Sequence, residues 1–170
     1  MTSFAVSETN GMTEDALRRQ VYLDTNVFIQ AFEGRSKDVQ HLRTAFAFMH
    51  QNRNLAVTSE LTLAELLAPS QTKKGRPARP NKRDFYLNLI VWNDFIDLRP
   101  VTRTILIETA DLRKHARLNL PDAIHIVTAI QTRCAYFMSS DRDTNRLPKE
   151  MKHLVPDRPS IRALMDSLRA

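Results

Sequence analysis

The sequence predicts an α/β fold with a mostly parallel central sheet covered by helices on both faces. Three observations lead there. Short apolar runs of strand type recur at Val21-Tyr22-Leu23, Leu55-Ala56-Val57-Thr58, Phe95-Ile96-Asp97-Leu98 and Ala135-Tyr136-Phe137-Met138. Segments with helical spacing of apolar residues lie between them, the pattern of βαβ units rather than hairpins. The runs are close to continuously apolar, as strands buried on both faces are. Right-handed crossovers put all strand carboxyl ends on one edge of such a sheet, where open α/β folds bind ligands.

In chain order, residues 1–20 are polar and read as an N-terminal extension, with Thr13 placed to cap a short helix toward Leu17. Residues 21–170 read as a single domain. After the first strand, Asp24, Thr25 and Asn26 are helix-capping types, and Val27, Phe28, Ile29, Ala31 and Phe32 predict a short helix stopped at Gly34. Leu42, Ala45, Phe46 and Met49 share one helical face, with Arg43 and His50 off it. Ser59 caps a helix carrying Leu61, Leu63, Ala64, Leu66 and Leu67, ended by Pro69. Phe85, Leu87, Leu89, Ile90 and Trp92 predict another apolar helix. Thr102 caps one running toward Arg117, with Ile105, Leu106, Thr109 and Leu112 on or near one face. Leu120-Pro121-Asp122 opens the next, where the proline's missing N–H costs little, and its buried face is Ala123, Ile126, Val127 and Ile130. Leu154-Val155 adds an edge strand, and Ser160 caps a final helix through Leu164 and Leu168.

With 170 residues, 42% of them hydrophobic and 26% charged, the chain can bury a sizeable core. A lone cysteine, Cys134, forms no intramolecular disulfide and reads as a small buried hydrophobe in a reducing compartment. No segment has the form of a signal peptide or a bilayer span, so the expectation is a cytoplasmic protein with no membrane partner. A net charge of +6 favours a polyanionic partner, nucleic acid or an acidic protein. The basic stretch from Pro69 to Arg83 contains Lys73, Lys74, Arg76, Arg79, Lys82 and Arg83. Taken alone it is a solvated face; its functional reading is an arm that contacts phosphates beside a cleft.

Four acids stand where core packing explains them poorly. Asp24 and Asp141 each follow a strand, Glu65 interrupts an apolar helix, and Asp122 lies in a first helical turn. Each has a plainer reading as a cap, a dipole partner, a turn residue or a solvent-facing charge. If they converge they repel one another, so some are protonated or a divalent cation neutralises them. Oxygen donors of this kind suit a hard, partly hydrated ion, Mg²⁺ with Mn²⁺ as a substitute. The five histidines show no metalloprotease spacing, and no P-loop, dinucleotide fingerprint or serine-hydrolase elbow is present. His125, one turn beyond Asp122, reads as packed rather than catalytic.

These residues resemble the PIN-domain nucleases, specifically VapC-like ribonuclease toxins of type II toxin–antitoxin systems. The resemblance runs from Val21 to about Leu147. Its motifs are Leu23-Asp24-Thr25-Asn26, Thr58-Ser59-Glu60-Leu61-Thr62-Leu63-Ala64-Glu65-Leu66, Leu120-Pro121-Asp122-Ala123-Ile124-His125 and Ser139-Ser140-Asp141-Arg142-Asp143. It implies a PIN-like three-layer α/β/α fold in which Asp24, Glu65, Asp122 and Asp141 form an acidic metal-binding centre. Asp24 and Asp122 are its firmest ligands, Asp143 is an auxiliary acid, and Thr25 and Asn26 orient the first carboxylate. Glu65 is preferred over Glu60 because the acid follows a small residue within the helix. Ser140 and Thr144 depart from the family pattern, and the basic loop is unusually long. The implied activity is Mg²⁺-dependent hydrolysis of phosphodiester bonds in single-stranded or looped RNA, its backbone held by the basic loop with Arg142 and Arg146. A cognate antitoxin and a homodimer are the implied partners.

Two other classes compete. A PIN-fold module that binds RNA or protein without catalysis would use the acids only as caps. A phosphate-handling enzyme of another α/β type fits poorly: a HAD-type phosphatase wants an aspartate where Asn26 stands, and a receiver domain wants its aspartate at a strand end, whereas Asp97 lies inside its run.

Overall fold

A computed structural model describes residues 19–35, 37–68, 81–141 and 147–169. The helix expected from Thr13 and most of the basic loop lie outside them. The described chain runs β1 (Val21–Leu23), α1 (Thr25–Glu33), α2 (Val39–Gln51), β2 (Ala56–Ser59), α3 (Glu60–Leu67), α4 (Lys82–Leu87), β3 (Ile96–Arg99), α5 (Arg103–His115), α6 (Leu120–Gln131), β4 (Tyr136–Met138), β5 (Lys152–Leu154) and α7 (Arg158–Arg169). All neighbouring strands are parallel, in the order β3-β2-β1-β4-β5. From the central β1 the chain winds outward through β2 to β3, then returns to β4 on the other side of β1. The winding direction reverses between β1 and β4, and crevices at such reversals are where open parallel sheets bind ligands.

Alternation along the strands separates two faces. Val21, Leu23, Ala56 and Met138 pack with Phe28 of α1, Leu42 and Phe46 of α2, Leu66 of α3 and Leu164 of α7. Tyr22, Val57 and Phe137 turn the other way, toward Ile126 and Ala129 of α6. The result is the expected three-layer α/β/α arrangement. The Tyr22 and Phe137 rings stack at 5.3 Å and 2°, a pairing that adds about 0.5–1.5 kcal/mol to their burial. Cys134 is buried as expected, and desolvation pushes its thiol up to about 12, which keeps it inert. Among the described residues no helix is long and apolar enough to cross a membrane.

Gly34 ends α1 as expected, with φ −69°, and glycine is needed because a Cβ there would sit 2.2 Å from the Gln30 carbonyl oxygen. Several other local expectations are corrected. The helix through Trp92 changes to a π turn over Asn88–Trp92, whose wider spacing keeps Tyr86 and Ile90 buried but leaves Trp92 61% exposed. The third strand is shifted by one residue, and Phe95 precedes it. Leu106 is exposed, so α5 buries only a narrow stripe built on Ile105 and Thr109. In α6 Ile130 is exposed while residues 123–129 are all buried. The final helix begins at Arg158; Asp157, not Ser160, accepts the capping bond, from the Ser160 amide at 2.9 Å. Gln20, assigned to the extension, is fully buried, and its carbonyl accepts from the amides of Ala135 and Tyr136.

Candidate active site

Asp24 leaves the end of β1 and caps α1. Its Oδ1 accepts from the Thr25 amide at 2.7 Å, and its Oδ2 accepts from Asn26 Nδ2 and from Ser139 Oγ, each at 2.7 Å. The Asp24 amide donates to the Met138 carbonyl, so β1 and β4 continue side by side into the loops that carry the site. Asn26 pins the second loop as well, because its Oδ1 accepts from the Ser140 amide at 3.0 Å. Ser139 Oγ also accepts from the Asp141 amide at 3.0 Å. Thus the two loops are cross-linked through Asn26 and Ser139, and Asp24 and Asp141 are fixed to the same small network.

Asp122 arrives from the opposite layer. Asn119 caps α6 by accepting from the Asp122 amide at 3.0 Å, which starts the helix so that Asp122 stands at the sheet edge and His125 one turn further in. Asp24, Asp122 and Asp141 line one cleft with His125, Ser139, Leu118, Ile126 and Phe137. Burial raises the Asp122 carboxyl above its ordinary range, and the negative charges of Asp141 and Asp24 raise it further. The acids therefore sense one another across the cleft.

Glu65 is not among the residues lining that cleft. It lies beside it on α3, where its Oε2 accepts from Thr25 Oγ1 and meets His125 Nε2 at 3.0 Å. Burial alone would raise its pKa, but these hydrogen bonds and the nearby imidazole lower it overall. Glu60 is exposed in the first turn of the same helix, so Glu65 is the acid of this segment directed to the site.

The remaining candidates divide. Thr25 and Asn26 both touch acids of the site. Lys73, Lys74, Arg76 and Arg79 lie outside the described residues, as do Arg142, Asp143 and Arg146. Lys82 is drawn to Glu33 at 3.1 Å and lies over the Tyr86 ring, whereas Arg83 is exposed.

Sequence reading missed two residues. Ser139 was read only as part of the Ser139-Ser140-Asp141 motif, with no role of its own, and nothing in its neighbours announces its contacts with Asp24, Asn26 and Asp141. His125 is 2% exposed, with Tyr22 Oη 2.8 Å from Nδ1 and Glu65, Thr25 and Asp24 around Nε2 at 3.0, 3.3 and 3.6 Å. It is packed, as expected, yet it faces the acids.

A family model for the PIN domain matches residues 21–150. The chain belongs to the PIN domain family. No curated protein matches it in sequence. Among solved structures, a toxin–antitoxin complex from Klebsiella pneumoniae aligns at 16% identity over 78% of this chain and 99% of that one, with TM-score 0.53. VapBC2 from Rickettsia felis, bound to a DNA fragment from its promoter, aligns at 15% over 79% and 97%, with TM-score 0.56. FitAB bound to the IR36 DNA fragment aligns at 17% over 81% and 95%, with TM-score 0.53. At these identities the likeness is one of fold.

Whether this PIN domain suits a divalent cation can be judged from its donors. The cleft offers carboxylate oxygens from three chain segments, the donor type of hard cations. Burial, with the charges of Asp141 and Asp24, holds the Asp122 carboxyl above its ordinary range. Among the described residues no group of three or more His, Cys, Asp or Glu side chains forms a ready-made cage. The fit to a hard cation therefore rests on the oxygen donor type.

Proposed function

We propose that this PIN domain is a metal-dependent endoribonuclease and the toxin of a toxin–antitoxin pair. The observation that carries the nuclease reading is the convergence of Asp24, Asp122 and Asp141 on one cleft at the β1–β4 edge, where burial and then the charges of Asp141 and Asp24 raise the Asp122 carboxyl. Asp24 and Asp122 would hold Mg²⁺ or Mn²⁺, with Asp141 and Glu65 completing the acidic set and Asp143 auxiliary. A bound ion of this class supplies an activated water and a counter-charge for the phosphodiester. The chain's own residues do the positioning. Thr25, Asn26 and Ser139 fix the orientation of Asp24, and Ile126 and Phe137 give the cleft an apolar wall that limits water.

A positive net charge supports a polyanionic substrate, here single-stranded or looped RNA, with Arg83 and the basic segment before it as backbone contacts. The toxin role is supported by the fold shared with chains of toxin–antitoxin complexes. The protein partners proposed with that role are an antitoxin, by the fold likeness to a chain of a toxin–antitoxin complex, and a second copy of the chain.

The test is incubation of purified protein with total RNA, with and without Mg²⁺, beside Asp24→Asn. Cleavage only by the wild-type protein and only with metal is the expected result. Equal cleavage by the variant would remove the acids from the mechanism, and no cleavage under any condition would favour a non-catalytic binding module.

A further inference from the structure

His125 is the one large polar side chain of α6 turned into the interior beside the acids, and both of its ring nitrogens are engaged. Three oxygen acceptors surround Nε2: Glu65 Oε2 at 3.0 Å, Thr25 Oγ1 at 3.3 Å and Asp24 Oδ1 at 3.6 Å. An unprotonated nitrogen there would face lone pairs only, apart from the one proton of Thr25, which is given to Glu65. On the other side Nδ1 meets the Tyr22 hydroxyl at 2.8 Å. Tyr22 is fully buried, and its hydroxyl can donate. Donation from Tyr22 to Nδ1 satisfies both groups and leaves Nε2–H to donate to Glu65.

We infer that Tyr22 and His125 form a buried relay, Tyr22 Oη donating to Nδ1 and Nε2–H donating to Glu65, that holds Glu65, and through it the acidic cleft, in the geometry that receives a divalent cation. His125 is in this sense a positioning residue. Its bond occupies Oε2 of Glu65 together with Thr25, which fixes the orientation of that carboxylate beside the cleft. Asp24 Oδ1 stands 3.6 Å from the same nitrogen, beyond hydrogen-bond reach, so the bond from Nε2 is to Glu65. Rigidity is supplied from behind: Tyr22 stacks on Phe137, and Phe137 itself lines the cleft. Hydrogen-bonded partners of metal-binding carboxylates typically govern affinity by about 10–100-fold. The role in ion binding rests on the nuclease reading above, whereas the tautomer does not.

Two measurements test it, and neither uses RNA cleavage. Long-range ¹H–¹⁵N spectra of the metal-free protein should show His125 with Nε2 protonated and Nδ1 bare. Tyr22→Phe, which keeps the ring and its stack, should abolish that fixed preference. Calorimetric titration with Mn²⁺ should then show His125→Leu binding about 10–100-fold more weakly than wild type. His125→Gln, whose amide N–H can reach the same acceptors, should stay within about threefold. A ring protonated at Nδ1 in the wild-type protein overturns the relay. Unchanged Mn²⁺ affinity in a folded His125→Leu overturns its positioning role. A wild-type protein that binds no Mn²⁺ overturns the metal reading and this role with it, and the tautomer result distinguishes that failure from a relay wired differently.

Discussion

Glu65 and Asp122 are both half-buried acids of one site, and their surroundings move them in opposite directions. Around Glu65 the protein has supplied Thr25 and His125, and together they outweigh burial, so the carboxyl sits below its ordinary range. Around Asp122 burial comes first, the charges of Asp141 and Asp24 add to it, and the Asn119 side chain and His125 offset them only in part, so the carboxyl sits above. The first acid is complete in the folded protein. The second is not, and an ion brought from solution would complete it. One half of the site is thus ordinary structure, and the other half stores a local conflict of the kind found where ligands bind.

The largest expected effect separates chemistry from folding. Asp24→Asn or Asp122→Asn should lower the single-turnover rate of RNA cleavage by about 10²–10⁴-fold, the equivalent of several kcal/mol of lost charge stabilisation, with the far-ultraviolet circular dichroism unchanged. Ser139→Ala comes next. It deletes a 2.7 Å bond to Asp24 and the acceptor for the Asp141 amide, so titration should show Mn²⁺ affinity reduced by about 10–100-fold.

Two smaller effects have opposite signs and bear directly on the comparison. Glu65→Gln should lower metal-free stability at neutral pH by about 1 kcal/mol or less after solvent screening, seen as a lower unfolding midpoint. Because the folded pKa of Glu65 is depressed, its contribution is present above the ordinary value of 4.5 and is lost as pH falls through the folded value. Asp122→Asn should instead raise the metal-free midpoint at neutral pH by about 1–2 °C, the shift given by roughly 0.5 kcal/mol in a domain of this size. Here the folded pKa is raised, so the wild-type penalty is full above that value and fades as pH falls toward the ordinary 3.8. Both differences close on acidification, one from below the wild-type curve and one from above it. Equal signs would break the contrast.

Much of this architecture was legible in the chain because its central strands are short runs buried on both faces. Val21-Tyr22-Leu23 needs no partner to be read as a strand, and Asp24 after it needs none to be read as a cap. The strand order was another matter. Local patterning does not say that β4 returns beside β1, yet that neighbour relation is what brings Asp141 toward Asp24. Periodicity also assigns a face without saying how wide the covering layer is, so Leu106 and Ile130 were placed inside and lie outside. Trp92 was displaced by a change of helical pitch that no residue between Asn88 and Trp92 announces. At the site, the acids were visible as charges out of place. His125 was hidden, because a histidine in an apolar helix looks like packing and its partners Glu65 and Tyr22 are 60 and 103 residues away.

The direct test of the incomplete half is thermal unfolding with and without Mg²⁺, run on the wild-type protein beside Asp122→Asn. At an ion concentration near 100 times the dissociation constant, binding contributes about 2.7 kcal/mol, so the wild-type midpoint should rise by roughly 5–10 °C. The variant should start higher and gain less than about 2 °C. An equal Mg²⁺-induced rise in both proteins, or none in the wild type, would contradict a cleft that the cation completes.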